Sequence, residues 1–149
     1  MKLEKYKYRC SNNHVFEADH LAGEFIYGEF LLRSEKTDEE AYLNAINDKS
    51  FNELASMINN NISLKGKDEL QRADILQEIF GICCDPAKDG SVFQIKIKPK
   101  CQICGTREVA LVGPFNLPMF VEKKIPHVTH VKWNSLSVAD KKELLENTN

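Results

Sequence analysis

Long apolar runs are missing from this chain of 149 residues. No stretch approaches the roughly 18 consecutive apolar residues that a membrane-spanning helix needs, so no span is expected. The opening octet, Met1 to Tyr8, carries lysines and a glutamate where an export signal requires an apolar core. Export is therefore not expected, and a cytoplasmic location is. Proline (5) and glycine (7) are sparse and no internal repeat occurs, which excludes fibrous and low-complexity architectures. Signatures of phosphate binding and catalysis are missing too: there is no G-x-x-x-x-G-K, G-x-G-x-x-G, G-x-S-x-G or H-E-x-x-H. No catalytic residue is assigned from the sequence. What is present, 42% hydrophobic and 28% charged residues, suits one domain with one core and room for a small extra lobe.

An even cysteine count is also lacking. The five are Cys10, Cys83, Cys84, Cys101 and Cys104, and an odd number without an export signal argues against a disulfide framework. The informative pair lies in Cys101-Gln102-Ile103-Cys104-Gly105. A C-x-x-C-G turn aims two thiolates at one point, and the glycine relieves steric conflict after the second. Two thiolates supply half a tetrahedral shell, so a second pair is needed. Cys10 and His14, in Cys10-Ser11-Asn12-Asn13-His14, provide it. Asn13 tolerates the left-handed backbone such a turn requires. Cys83 and Cys84 are adjacent and read as buried residues near the end of an apolar helix. His20, His127 and His130 are spare ligand candidates.

Each pair is preceded by an alternating pattern. Leu3, Lys5, Lys7 and Arg9 share one face of a predicted strand; Phe93, Ile95 and Ile97 share one face of another, with Lys96, Lys98 and Lys100 opposite. Return strands are expected at 15–18 and 108–112. Strand, metal turn and return strand, twice over, resemble a zinc ribbon, on Cys10, His14, Cys101 and Cys104. The resemblance implies a structural zinc held by three cysteines and one histidine, and covers the first and last thirds of the chain. It departs from a minimal ribbon in the 86 residues between the two turns. Lengthening that loop from roughly 15 residues costs on the order of 1.5 kcal/mol. A structural zinc contributes on the order of 10–16 kcal/mol in small peptides, so the metal outweighs the insertion if the insertion folds by itself.

The expected fold class is α+β: a small antiparallel ribbon sheet with a mixed helical and strand insertion between the metal turns. The ribbon halves are 1–20 and 91–132, the insertion 21–90 and a terminal helix 133–149, all within a single domain. In the insertion, 23–33 reads as a strand with Gly28 as a bulge. Thr37-Asp38-Glu39-Glu40 offers a capping box for a short helix to about Asn47, with a hairpin strand over 41–45 as the competing reading. Ser50-Phe51-Asn52-Glu53 offers another, opening a helix with Phe51, Leu54, Ala55 and Ile58 on one face, and a third helix is expected over 67–83. The segment Gly113 to Phe120 contains two prolines and is expected to pack its apolar side chains on the core from a loop, with exposure for a partner as the competing reading. Ser137 opens the terminal helix, expected to run to about Glu146.

Charge is uneven. Residues 1–14 carry a net +3 and 91–132 a net +5, against −9 for 15–90. Three functional readings follow. The first is an adaptor, inhibitor or immunity-type protein, stapled by zinc, whose acidic lobe meets a basic protein partner. The second is a nucleic-acid-binding ribbon using Lys5, Lys7, Arg9, Lys96, Lys98 and Lys100. The third is a metal-dependent hydrolase or deaminase-like enzyme, weakened because Cys10 fills the coordination position that an open catalytic metal keeps for water.

Overall fold

Alternation at the start of the chain produces a hairpin, β1 (Lys2–Cys10) and β2 (Val15–Leu21), antiparallel and in unbroken register from Leu3 opposite Leu21 to Arg9 opposite Val15. The computed structural model describes residues 1–23 and 27–148. The further elements are β3 (Glu29–Ser34), β4 (Glu40–Asn44), α1 (Lys49–Asn59), α2 (Glu69–Ile79), β5 (Phe93–Gln94), β6 (Val109–Pro114), β7 (Phe120–Glu122), α3 (Val131–Asn134) and α4 (Val138–Thr148). Among the described residues the class is mixed α+β, with two antiparallel sheets and four α-helices.

The chain divides into two compact units, Met1–Tyr27 with Ile97–Pro126, and Gly28–Lys96 with His127–Asn149. In the first unit β1 is central. β2 lies along one edge; β6 and β7 share the other, β6 beside Tyr6–Cys10 and β7 beside Lys2–Glu4. The register shifts between Lys7 and Tyr8, a bulge at Val112, and β6 continues through Gly113 to end at Pro114, which has no amide donor. Tyr8, Cys10, Phe16, Cys101 and Val109 form the buried cluster of this unit.

In the second unit β3 is central between β4 and β5. The core gathers Leu32, Leu43, Leu54, Ile58, Leu76, Phe80, Phe93, Trp133 and Leu145. The C-terminal residues are thus part of this core, with Trp133 only 1% exposed. The unit boundaries fall after residues 27, 96 and 126.

Several expectations need correction. Of the predicted strand 23–33, Glu24, Phe25 and Ile26 lie outside the described residues, and the strand begins at Glu29. Gly28 belongs to a turn, with φ +84° and space for a Cβ blocked by Ile46 Cγ1 at 2.9 Å. Of the two readings for 37–47, the hairpin strand forms. Ser34 Oγ accepts from the amides of Thr37 (3.3 Å) and Glu39 (3.1 Å), so the polar residues close a turn instead of capping a helix. Helix α1 is capped by Asp48, whose side chain accepts from Phe51 N at 2.8 Å; Ser50 is buried inside the helix. In α2 the capping box is Asp68 with Gln71, and the helix tightens into a 3₁₀ turn over Phe80–Cys83. Ser137 does cap its helix, accepting from Asp140 N at 3.1 Å.

The largest correction concerns the lysine-rich strand expected before the second metal turn. Only Phe93 and Gln94 are extended in a sheet, and they pair with Arg33 and Ser34 of β3 in the second unit. Phe93 is drawn into the larger apolar core, and the chain then leaves that unit after Lys96. The segment 113–120 is corrected as well. Leu117 is 84% exposed, Phe120 47% and Met119 43%, so this loop does not pack on the core. It is an excursion from the sheet edge between β6 and β7, too short to fold back.

Candidate metal centre

The sequence of each turn dictates where its sulfur points. At the end of β1 the chain reverses, Asn13 N donating to Cys10 O at 2.9 Å and Cys10 N to His14 O at 2.9 Å. Asn13 takes φ +66°, the left-handed conformation its short polar side chain tolerates. The second turn repeats this logic: Gly105 N donates to Cys101 O (2.8 Å), Cys101 N to Thr106 O (2.9 Å), and Gly105 has φ +75°. Both turns leave amides aimed at sulfur. His14 N donates to Cys10 Sγ at 3.3 Å and Ile103 N to Cys101 Sγ at 3.4 Å.

These turns meet in the first unit. One ligand atom each from Cys10, His14, Cys101 and Cys104 lies within 4.8 Å of all the others, close enough to hold a metal ion. Cys10 Sγ is 3.8 Å from Cys104 Sγ. His14 presents Nδ1, 3.5 Å from Cys10 Sγ and 3.7 Å from Cys101 Sγ. Cys10 and Cys101 are buried, His14 is half-buried and Cys104 is exposed. The four residues singled out from spacing are therefore the four brought together, despite the long insertion between them.

Local hydrogen bonding prepares two of the sulfurs as thiolates. The Thr106 amide and then the Asn12 side chain, whose Nδ2 donates at 3.4 Å, hold the Cys104 thiol down at about 6. At Cys101 burial pushes upward, but the amides of Cys104 and Ile103 outweigh it and the thiol lies below its ordinary value. Burial prevails at Cys10, over the amides of His14 and Asn12, and its pKa is raised. His14 is raised by its contacts with Cys104 and then Cys101. Chemically, the set offers three sulfurs and one imidazole nitrogen to a cation, with Cys104 the first to shed its proton. Asn12 was missed in the sequence; only its place inside the turn pointed to it.

The other candidates lie elsewhere. His20 Nε2 meets Tyr8 OH at 2.6 Å and its ring stacks on Tyr6. His127 bridges to Tyr42 and packs edge-on against its ring. His130 has Nε2 on Asp48 Oδ2 and Nδ1 on Cys83 O, each at 2.7 Å. Cys83 is buried and burial pushes its thiol up; Cys84 is pushed up to about 12 by the same cause. Among the six basic residues of the nucleic-acid reading, Lys5, Lys7 and Arg9 share a face of β1. Lys5 Nζ is held by the buried carboxylate of Asp19 at 2.6 Å, which also takes Lys123 at 2.5 Å. Lys7 Nζ sits 4.9 Å from the centre of the Phe115 ring. Lys96 pairs with Asp74 at 2.9 Å in the second unit, and Lys98 Nζ donates to Val109 O at 3.1 Å. Lys96, Lys98 and Lys100 lie outside any strand, so the second basic strand face does not form.

No helix among the described residues is long and apolar enough to cross a membrane. No protein-family model matches the chain, and no curated protein or solved structure shows significant similarity to it, so the zinc-ribbon resemblance rests on the four ligand positions and their turns.

Proposed function

We propose that the cluster holds a structural zinc ion and that the chain is a zinc-stapled protein-interaction module. The observation that carries the first half is the separation of the donor atoms. In a tetrahedron with Zn–S of about 2.3 Å and Zn–N of about 2.05 Å, sulfurs stand about 3.75 Å apart and sulfur and nitrogen about 3.55 Å. The contacts of 3.8, 3.5 and 3.7 Å lie near those values, and all four donor atoms fall within 4.8 Å of one another. Four protein donors close a tetrahedral ion to water and substrate, which favours a structural over a catalytic role. The ribbon identity of the first unit is part of this proposal.

The second half rests on charge. The first unit carries a net +3 and the second a net −5. An acidic unit steers toward a basic protein surface and gains specificity from it. The nucleic-acid reading is the weaker one, since Lys5 and Lys96 are already neutralised by Asp19 and Asp74. Two measurements test the proposal. Elemental analysis of purified protein is expected to give one zinc per chain. Affinity purification from the native host is expected to recover a basic protein, and reversal of Glu35, Glu39 and Glu40 is expected to abolish its recovery. A partner retained unchanged by that variant would remove the acidic-unit reading.

A further inference from the structure

We propose that the loop between β6 and β7 is a peripheral docking surface for an anionic lipid membrane. From Leu111 to Val121 the chain contains no charged residue. Its apolar side chains are not core: Leu111, Val112, Leu117, Met119 and Phe120 are all exposed. β6 and β7 run end to end along one edge of β1, with Pro114 opposite Tyr6 and Phe120 opposite Glu4. Lys5 N donates to Met119 O at 2.8 Å, which pins the loop's return. Residues 115–119 therefore project from the sheet edge, and Leu117, 84% exposed, is their tip.

Cations collar this tip on both sides of the sheet. Lys2 and Lys7, five residues apart on β1, point to opposite faces. Lys2 Nζ stands 4.0 Å from the centre of the Phe120 ring, and Lys7 Nζ 4.9 Å from that of Phe115. Lys123 and Lys124 follow directly and are exposed. The acids nearby are Glu4, opposite Phe120, Glu122, opposite Lys2, and the buried Asp19, which holds Lys5 and Lys123, so the collar rests on Lys2, Lys7 and Lys124.

Charge and shape together select the occupant. An apolar wedge rimmed with ammonium groups matches the layering of an anionic bilayer surface, with apolar side chains at the acyl boundary and lysines at the phosphates. A protruding tip needs a deformable or concave surface to bury it, and a flat basic face for nucleic acid would have no use for exposed Leu117 and Met119. An attachment made by one apolar loop tip and a few lysines is reversible and peripheral.

The test is co-sedimentation of the full-length, zinc-loaded protein with phosphatidylcholine vesicles containing about one third phosphatidylserine, against phosphatidylcholine alone. Binding is expected to the anionic vesicles only, and to fall steeply at about 0.5 M salt. Leu117→Asp is expected to weaken it about tenfold or more, because one leucine-sized side chain no longer enters the acyl boundary. Lys124→Glu, which alters charge alone, is expected to weaken it severalfold. Zinc content and melting temperature of both variants check that the fold is kept. Wild-type protein that ignores anionic vesicles would overturn the proposal. So would Leu117→Asp bound as tightly as wild type, which would make the attraction purely electrostatic, or binding of an acidic protein with vesicles left untouched.

Discussion

Individual side chains decide whether the metal cluster assembles. Replacing Cys101 by Ser removes one of three sulfurs and leaves a cation site with three donors. Since structural zinc supplies on the order of 10–16 kcal/mol in small peptides, the loss is expected to amount to several kcal/mol and to unfold the first unit. Zinc stoichiometry and a thermal melt of Cys101→Ser check this. Retention of one zinc with an unchanged melt would reject the ligand assignment. Cys104 makes a separate statement about pH. Its folded value lies at about 6 against an ordinary 9.0, held down first by the Thr106 amide. A lowered acid stabilises the folded state fully above its unfolded value, here above about 9. That contribution fades as pH falls and is lost below about 6. Zinc release on acidification, followed with a chromogenic chelator, is expected to have its midpoint below about pH 6, where Cys104 takes up its proton. Asn12→Ala, which deletes a donor to that sulfur, is expected to move the midpoint upward.

At the scale of elements, the helices of the second unit depend on a few polar anchors. Asp48 caps α1 through Oδ1 and holds His130 through Oδ2. Asp48→Ala removes both contacts, and an expected loss of about 2 kcal/mol combines the cap with the stranded imidazole. Asp48→Asn keeps the cap and is expected to recover part of it; urea unfolding followed by helical circular dichroism measures each. Trp133 joins α3 to the core and donates Nε1 to Glu53 Oε1 at 2.6 Å, while Lys141 reaches the same carboxylate at 3.1 Å. Trp133→Ala is expected to cost about 3–5 kcal/mol and to free the C-terminal segment to proteolysis. These anchors were hidden in the sequence. Ser50 and Glu53 have capping-box spacing, yet Asp48 lies two residues earlier and captures the cap, which frees Glu53 for Trp133. Spacing alone does not rank two competing caps; the position where the preceding strand turns does.

For the whole molecule, the division into two units makes removal of the proposed zinc a selective perturbation. All four helices among the described residues belong to the second unit, and all four ligands belong to the first. Chelation is expected to leave the helical circular dichroism signal largely intact while amide exchange rises in β1, β2, β6 and β7. A collapse of the helical signal on chelation would show the two units to be one cooperative structure. The same division explains why the chain carries near-neutral charge overall and yet is locally basic and acidic.

The Cys/His cluster was legible in the primary structure because its chemistry is local. Cys10 to His14 and Cys101 to Cys104 are short turns whose left-handed positions, Asn13 and Gly105, are set by covalent sterics. The first hairpin was legible for the same reason, through strict alternation in β1. Tertiary packing decided the rest. Phe93 has the pattern of a ribbon strand but pairs with β3, because burial in the larger core outweighs continuation of a lysine-rich face. Trp133 and Leu145 join that core from the far end of the chain, a choice that periodicity does not encode. Exposure of Leu117 was equally unreadable, since apolar composition states how much surface water disfavours and not whether another part of the chain reaches far enough to cover it.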